Sequence, residues 1–366
     1  MSFDDVKYIP ILCLKPAEMA ALEELPEKDK DNLLPLIPLK KWTTASNLEK
    51  ACARLKKAFS DRPIILDLDR DYLKECIGKT TQIAQELLDL NDSSKGYAKW
   101  VSFFKQNPNY LPVLQLQDSN ELHAQIDGFI EIKSSIVLRL ELTNKLTIND
   151  YTDVLKKIYS KKNNIINLLI ILDYGDFDRT DLINIYKYVQ VINWFSKFFP
   201  EAKISISGTS FPYSFTGSYK GEIPIYERQI YNKIVSNIEG LSLIYSDRGS
   251  ARANSLNGGG GVPPPRIDYP LKNDWRFVRK EFITGDENEK EFLYYEACKE
   301  VIASDYWDAN LHLWGTQMIE KTALKDPYGI TSPQKATAVR INIHLYIQLH
   351  YFDKLDELDT DEDWVD

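Results

Sequence analysis

The chain has 366 residues, 43% of them hydrophobic and 27% charged, the balance of a soluble globular protein, which excludes collagen-like, disulfide-scaffold and wholly disordered classes. The net charge of −9 is concentrated at one end: residues 353–366 hold eight acids against Lys354, so the remaining body is nearly neutral and lacks the basic field that marks DNA-binding domains. Cys13, Cys52, Cys76 and Cys298 are widely spaced, which excludes a CxxC redox pair or a zinc knuckle and points to reduced thiols in the cytoplasm.

In chain order, the opening MSFDDVKYIPIL has no long apolar stretch of the signal-peptide kind. Short β-rich runs then recur: YIPILCL from Tyr8, LLPLIPL from Leu33, PIILDLD from Pro63, LPVLQLQ from Leu111, SIVLRLEL from Ser135, INLLIILD from Ile166, KISISGT from Lys203 and LSLIYSD from Leu241. The most apolar segment, 165–172, is far too short to span a bilayer. Helix formers with helical periodicity follow most runs, among them NLEKACARLKKAFS, NELHAQIDGFIEIK and RTDLINIYKYVQVINWFSKFF, with Asn47, Ser119, Asn149 and Thr180 as expected N-caps. Strands alternating with helices at this pitch build right-handed βαβ units, and eight units close a ring.

The expected architecture is therefore α/β, a TIM-like (β/α)8 barrel over residues 1–250 with a C-terminal α-rich extension. A glycine- and proline-rich loop occupies 251–267, the extension runs over 268–352, docked on the barrel, and the acidic tail covers 353–366. The tail reads either as a solvated segment or as an interaction arm with Trp364 as its anchor.

Side chains at the carboxyl ends of barrel strands surround the functional site when there is one. The i, i+2 spacing sets Asp67 on one face with Asp69, and Arg139 with Glu141. If that face is inward, Asp67, Glu141 and Asp173 meet two cations, Lys15 and Arg139. Such carboxylates can act as general acid and base or hold Mg2+; equally, an Arg139 fork between them is a structural network without chemistry. The loops after the last two strands, with Ser207 and Thr209 in one and Asp247 and Arg248 in the other, suggest a phosphate site, with Arg252 close behind. The four histidines lack metal-ligand spacing, whereas Arg340, His344 and Gln348 form a polar stripe facing either the mouth or solvent.

The stretches YIPILCLKPAEMAALEEL, LLPLIPL, YKGEIPIYER, NDWRFVRKEF, LWGTQMIEKTA and VRINIHLYIQ resemble the signatures of the beta protein family of phages, prophages and bacterial mobile islands. The resemblance is carried by Tyr8, Pro10, Leu12, Lys15, Pro35, Leu36, Ile37, Arg139, Asp173, Trp275, Trp314, Gly315, Arg340, Asn342 and His344. Pro38 stands where many relatives have Glu, and Asn342-Ile343-His344 replaces a paired histidine. The resemblance implies a phage-related setting, with anti-phage defence or phage exclusion as the role. Two expectations stand beside each other: a recognition barrel for a protein, nucleic acid or nucleotide signal from phage or host, away from any membrane, and a phosphodiester or nucleotide hydrolase. In the hydrolase, Asp67, Glu141 and Asp173 serve as base or Mg2+ ligands while Lys15, Arg139 and Arg248 hold phosphate.

Overall fold

The computed structural model describes residues 2–143, 146–215, 218–253, 263–283 and 289–353. The glycines at 258–261 and the tail beyond Asp353 lie outside the described residues. The chain divides into two compact units, the first from Met1–Lys15, Asn32–Thr209 and Tyr226–Arg248, the second from Pro16–Asp31, Ser210–Ile225 and Gly249–Asp366. Segments 16–31 and 210–225 thus join the C-terminal part, although stretches of the first unit separate them from it in the chain.

Eleven strands are formed among the described residues. They are β1 (Tyr8–Pro10), β2 (Leu36–Leu39), β3 (Ile64–Leu68), β4 (Tyr110–Pro112), β5 (Ile136–Glu141), β6 (Leu168–Asp176), β7 (Lys203–Thr209), β8 (Lys220–Pro224), β9 (Leu243–Asp247), β10 (Arg266–Pro270) and β11 (Asp274–Arg279). The first unit holds β1 to β7 and β9, every pair parallel, in sheets of order β1-β9-β7-β6-β5 and β2-β3-β4. Isolated parallel bridges join Tyr8 to Leu33, Ile11 to Leu36 and Val113 to Val137. The β-rich runs predicted from the sequence all supply these strands, and an α/β class with parallel sheets follows.

Strand parity positions the polar residues. Ile9, Ile11, Leu36, Ile65, Val113, Val137, Leu169, Ile171 and Ile244 form one buried apolar cluster. Two residues further along the same faces stand Asp67, Gln115, Arg139 and Asp173, so an apolar layer gives way to a charged one at the carboxyl ends. The register puts Glu141 opposite Asp173 and Asp173 opposite Ser207, while Arg139 lies opposite Ile171, two residues before Asp173.

Helix starts depart from expectation by small steps. Asn47 caps Leu48–Phe59 as predicted, accepting from the Lys50 N–H. Elsewhere the caps fall one or two residues earlier, at Asp118, Thr147 and Asp178, because an Asp or Thr there reaches the same free amides and, at Thr147 and Asp178, closes a capping box. Among the described residues, no helix is long and apolar enough to cross a membrane.

The second unit is an antiparallel sheet, β10-β11-β8, with helices Pro16–Glu23, Glu289–Ile302, Trp314–Ala323 and Pro333–Leu349. Strand β8 is there because it pairs with β11, Trp275 opposite Ile223. Helix Pro333–Leu349, capped by Ser332, is buried on nearly every side. In it Asn342 accepts from the Gly315 N–H at 3.0 Å and donates to the Ala21 carbonyl at 3.0 Å, tying three segments together.

Candidate functional site

At the carboxyl ends of β3, β5 and β6 the structure brings together Asp67, Arg139 and Asp173. Arg139 donates from Nη1 to Asp67 Oδ2 at 3.0 Å, and from Nε and Nη2 to Asp173 Oδ2 at 3.0 and 2.6 Å. Arg248 adds two contacts to the Asp173 carboxylate, at 2.8 and 3.0 Å, and the Gly175 N–H a third at 3.2 Å. Glu141 Oε1 lies 3.5 Å from Arg139 Nη2, with its side chain half-exposed. Gln115 completes the layer, donating to Asp67 Oδ1 at 3.2 Å.

The electrostatics follow from this packing. Burial pushes the Asp173 carboxyl up, but the Arg248 and Arg139 charges outweigh it and hold the group at about 2. Burial works against the Arg139 charge, and Asp173, Asp67 and Glu141 more than reverse that, so it titrates above its ordinary range. Asp67 and Asp173 are thus acceptors already occupied by guanidinium groups, while Glu141 is the accessible carboxylate. Among the described residues no three His, Cys, Asp or Glu side chains are arranged to hold a metal ion.

The remaining predicted residues of the first unit take different places. Lys15 is exposed, outside these ion pairs. Ser207 and Thr209 are buried at the end of β7. Asp247 is fully buried, and its carboxylate accepts from Tyr8 Oη at 2.5 Å and from Tyr245 Oη at 2.9 Å. Burial and the Asp247 charge push both phenols well above their ordinary value, and the Arg228 guanidinium sits 3.3 Å from the centre of the Tyr245 ring. Of the predicted phosphate-loop residues, Arg248 therefore binds Asp173 and Asp247 binds two tyrosines.

In the second unit the stripe of Arg340, His344 and Gln348 is buried, not a solvent-facing edge. Arg340 donates to Asp268 at 2.7 Å and to Ser250 Oγ at 3.2 Å. Trp275 Nε1 donates to His344 Nδ1 at 3.3 Å, and the two rings stack. Gln348 donates to the Lys272 carbonyl at 3.1 Å. These contacts supply the partners that buried polar groups require.

One feature of the first unit escaped the sequence reading. An apolar groove of about 570 Å³ runs between helices Thr152–Lys161 and Tyr186–Phe198, walled by Leu155, Tyr159, Val191, Trp194 and Phe198, with Lys156 and Lys187 at its rim. Tyr159 is 44% and Trp194 38% exposed. The signal was a second stripe: helix Tyr186–Phe198 buries Tyr188, Val189, Ile192 and Phe195, yet also carries Val191, Trp194 and Phe198 at i, i+3 and i+7.

Fold and site together define an α/β protein whose parallel strands end in an interlocked arginine–carboxylate layer, with an aromatic groove on its helical surface. The chain belongs to the Beta protein family, whose model matches residues 8–350. It is 30% identical over 364 residues to protein beta of Enterobacteria phage P4, covering 96% of each chain.

Proposed function

We propose that this chain is a recognition protein of phage or mobile-element origin, working in the cytoplasm in anti-phage defence or phage exclusion, on a closed (β/α)8 scaffold. The scaffold reading is supported by eight parallel strands whose two sheets are bridged at both edges, β1 to the β2 segment and β4 to β5. The observation that carries recognition over catalysis is the engagement of the strand-end acids. Asp173 accepts from two arginines and Asp67 from one, an arrangement that stabilises charge in place instead of poising an acid and a base. The exposed aromatic groove supplies a surface of the kind that protein partners fill, since large aromatic side chains dominate interface energetics.

The hydrolase remains the second reading, favoured by Glu141, whose half-exposed carboxylate stands beside Arg139. The two readings separate in a plating assay with phage-challenged cells expressing the wild type, Trp194→Ala or Glu141→Gln. Recognition through the groove predicts that Trp194→Ala loses protection while its thermal melt stays near wild type, and that Glu141→Gln keeps protection. The opposite pattern removes the recognition reading and leaves the hydrolase; no protection by the wild type against a broad phage panel removes the defence role.

A further inference from the structure

In the second unit the buried Arg340 and the partly buried Arg252 and Arg266 surround a single carboxylate, that of Asp268. Four arginines gather on the segment Phe211–Phe215. Arg279, which donates to the Phe215 carbonyl at 2.8 Å, is matched by Glu281 at 2.7 Å, and the other three are Arg252, Arg266 and Arg340. The Arg340 guanidinium stacks 4.1 Å from the Phe211 ring centre, Arg266 stacks 3.5 Å from that of Phe215, and Arg252 Nε donates to the Pro212 carbonyl at 2.9 Å. Asp268, itself buried, is the carboxylate that two of them share, Arg340 Nη1 reaching it at 2.7 Å and Arg266 Nη2 at 3.0 Å, while Arg252 feels its charge without contact. One acid against three guanidinium groups leaves two positive charges in excess. Burial and mutual repulsion accordingly depress both Arg340 and Arg252. Arg340 uses Nε on Ser250 Oγ and Nη1 on Asp268, so its Nη2, Nη1 of Arg266 and both terminal nitrogens of Arg252 bond to no described residue. Like charges brought out of water together are costly unless an anion joins them, and arginine forks match tetrahedral oxyanions.

We infer that Arg252, Arg266 and Arg340 form a binding site for a phosphate dianion, either free or as the terminal group of a mononucleotide. The −2 charge of such a group matches the local excess, and Arg252 and Arg266 are both only partly buried. The site is distinct from the strand-end layer of the first unit and does not depend on the groove.

The test uses the full chain. Thermal melts and calorimetric titrations are run with inorganic phosphate, with a 5′-mononucleotide and with chloride at matched ionic strength, for the wild type, Arg252→Gln, Arg266→Gln and Arg248→Gln. Phosphate is expected to raise the melting temperature where chloride does not, with Kd weakened about tenfold or more in Arg252→Gln and Arg266→Gln and unchanged in Arg248→Gln. Tighter binding of the nucleotide than of phosphate assigns the source to a nucleotide; equal binding assigns free phosphate. The inference is overturned if neither anion stabilises the wild type above chloride, if Arg252→Gln and Arg266→Gln both bind as wild type, or if Arg248→Gln alone abolishes binding. Arg252 is partly exposed, so its variant keeps the test alive should Arg266→Gln fail to fold. A groove variant that loses protection against phage but still binds phosphate separates this inference from the recognition reading.

Discussion

Asp173→Asn removes one charge from the strand-end layer while keeping side-chain volume, and its cost can be worked from the contacts. The carboxylate is 1% exposed and receives two guanidinium groups. Two charge-assisted contacts at about 1.5–3 kcal/mol each set an upper bound near 6 kcal/mol. Arg139 keeps Asp67 at 3.0 Å, and Arg248, at 16% side-chain exposure, can turn to water, which lowers the expected cost to about 3 kcal/mol. The pH dependence has a definite sign. The Asp173 carboxyl is held at about 2 against an ordinary 3.8, so its contribution is complete above about pH 4 and disappears as pH falls through 2. That difference corresponds to roughly 2.5 kcal/mol. Urea unfolding followed by tryptophan fluorescence, at pH 7 and at steps from pH 5 to 2, reads both quantities. The variant is expected to shift the midpoint at constant slope and to lose stability in acid less steeply than wild type, the two converging near pH 2. A cost under about 1 kcal/mol at pH 7, with an acid profile identical to wild type, would refute Asp173 as the hub of the layer.

Further outcomes follow from single contacts. Asn342→Leu keeps volume but strands the Gly315 N–H and the Ala21 carbonyl, so it is expected to cost about 3 kcal/mol in the same urea experiment. Gly96→Ala places a Cβ 2.6 Å from Ala124 at φ +68° and is expected to cost about 2–4 kcal/mol, whereas Gly78→Ala, at φ +79° with open space around it, costs about 1; melting temperatures measured side by side distinguish them. Burial works against the His350 charge, but hydrogen bonds to Asp29 and Asp353 outweigh it and raise the group above 6.5. Its contribution is therefore present below pH 6.5 and lost as pH rises through the raised value. A ring titration by NMR should place the midpoint above 6.5, and His350→Gln should flatten the stability profile there.

The i, i+2 spacing was legible in the sequence, since alternation alone sets Arg139 on one face with Val137 and Asp67 with Ile65. Which face that is was not, because it depends on strand register, and the structure puts it on the side of the apolar cluster. Helix positions were equally plain, because segments such as NLEKACARLKKAFS carry both a cap and a stripe. The composition of the second unit was not legible. Strand β8 is largely exposed and shows no alternating apolar face, and its partner β11 lies some fifty residues on, so nothing local announces the pairing. Asp247 misled for a related reason: a carboxylate beside Arg248 reads as a loop ligand until Tyr8, 239 residues away, is seen to donate to it. Long-range hydrogen bonds are invisible to periodicity.

The hydrogen bond from Asn342 to Ala21 joins residues 321 positions apart, and it sets a timetable for synthesis. At 5–20 residues per second, the helix Pro16–Glu23 leaves the ribosome roughly a quarter of a minute to a minute before its partner helix Pro333–Leu349 exists. During that interval Met19, Ala21 and Leu22, all buried in the finished protein, have no native surface to cover them. The first unit's strands complete by Asp247, so it can collapse while the second waits for the last helix. Nascent chains halted before residue 333 should therefore bind holdase chaperones through the amino-terminal helix, and release should coincide with emergence of the final one.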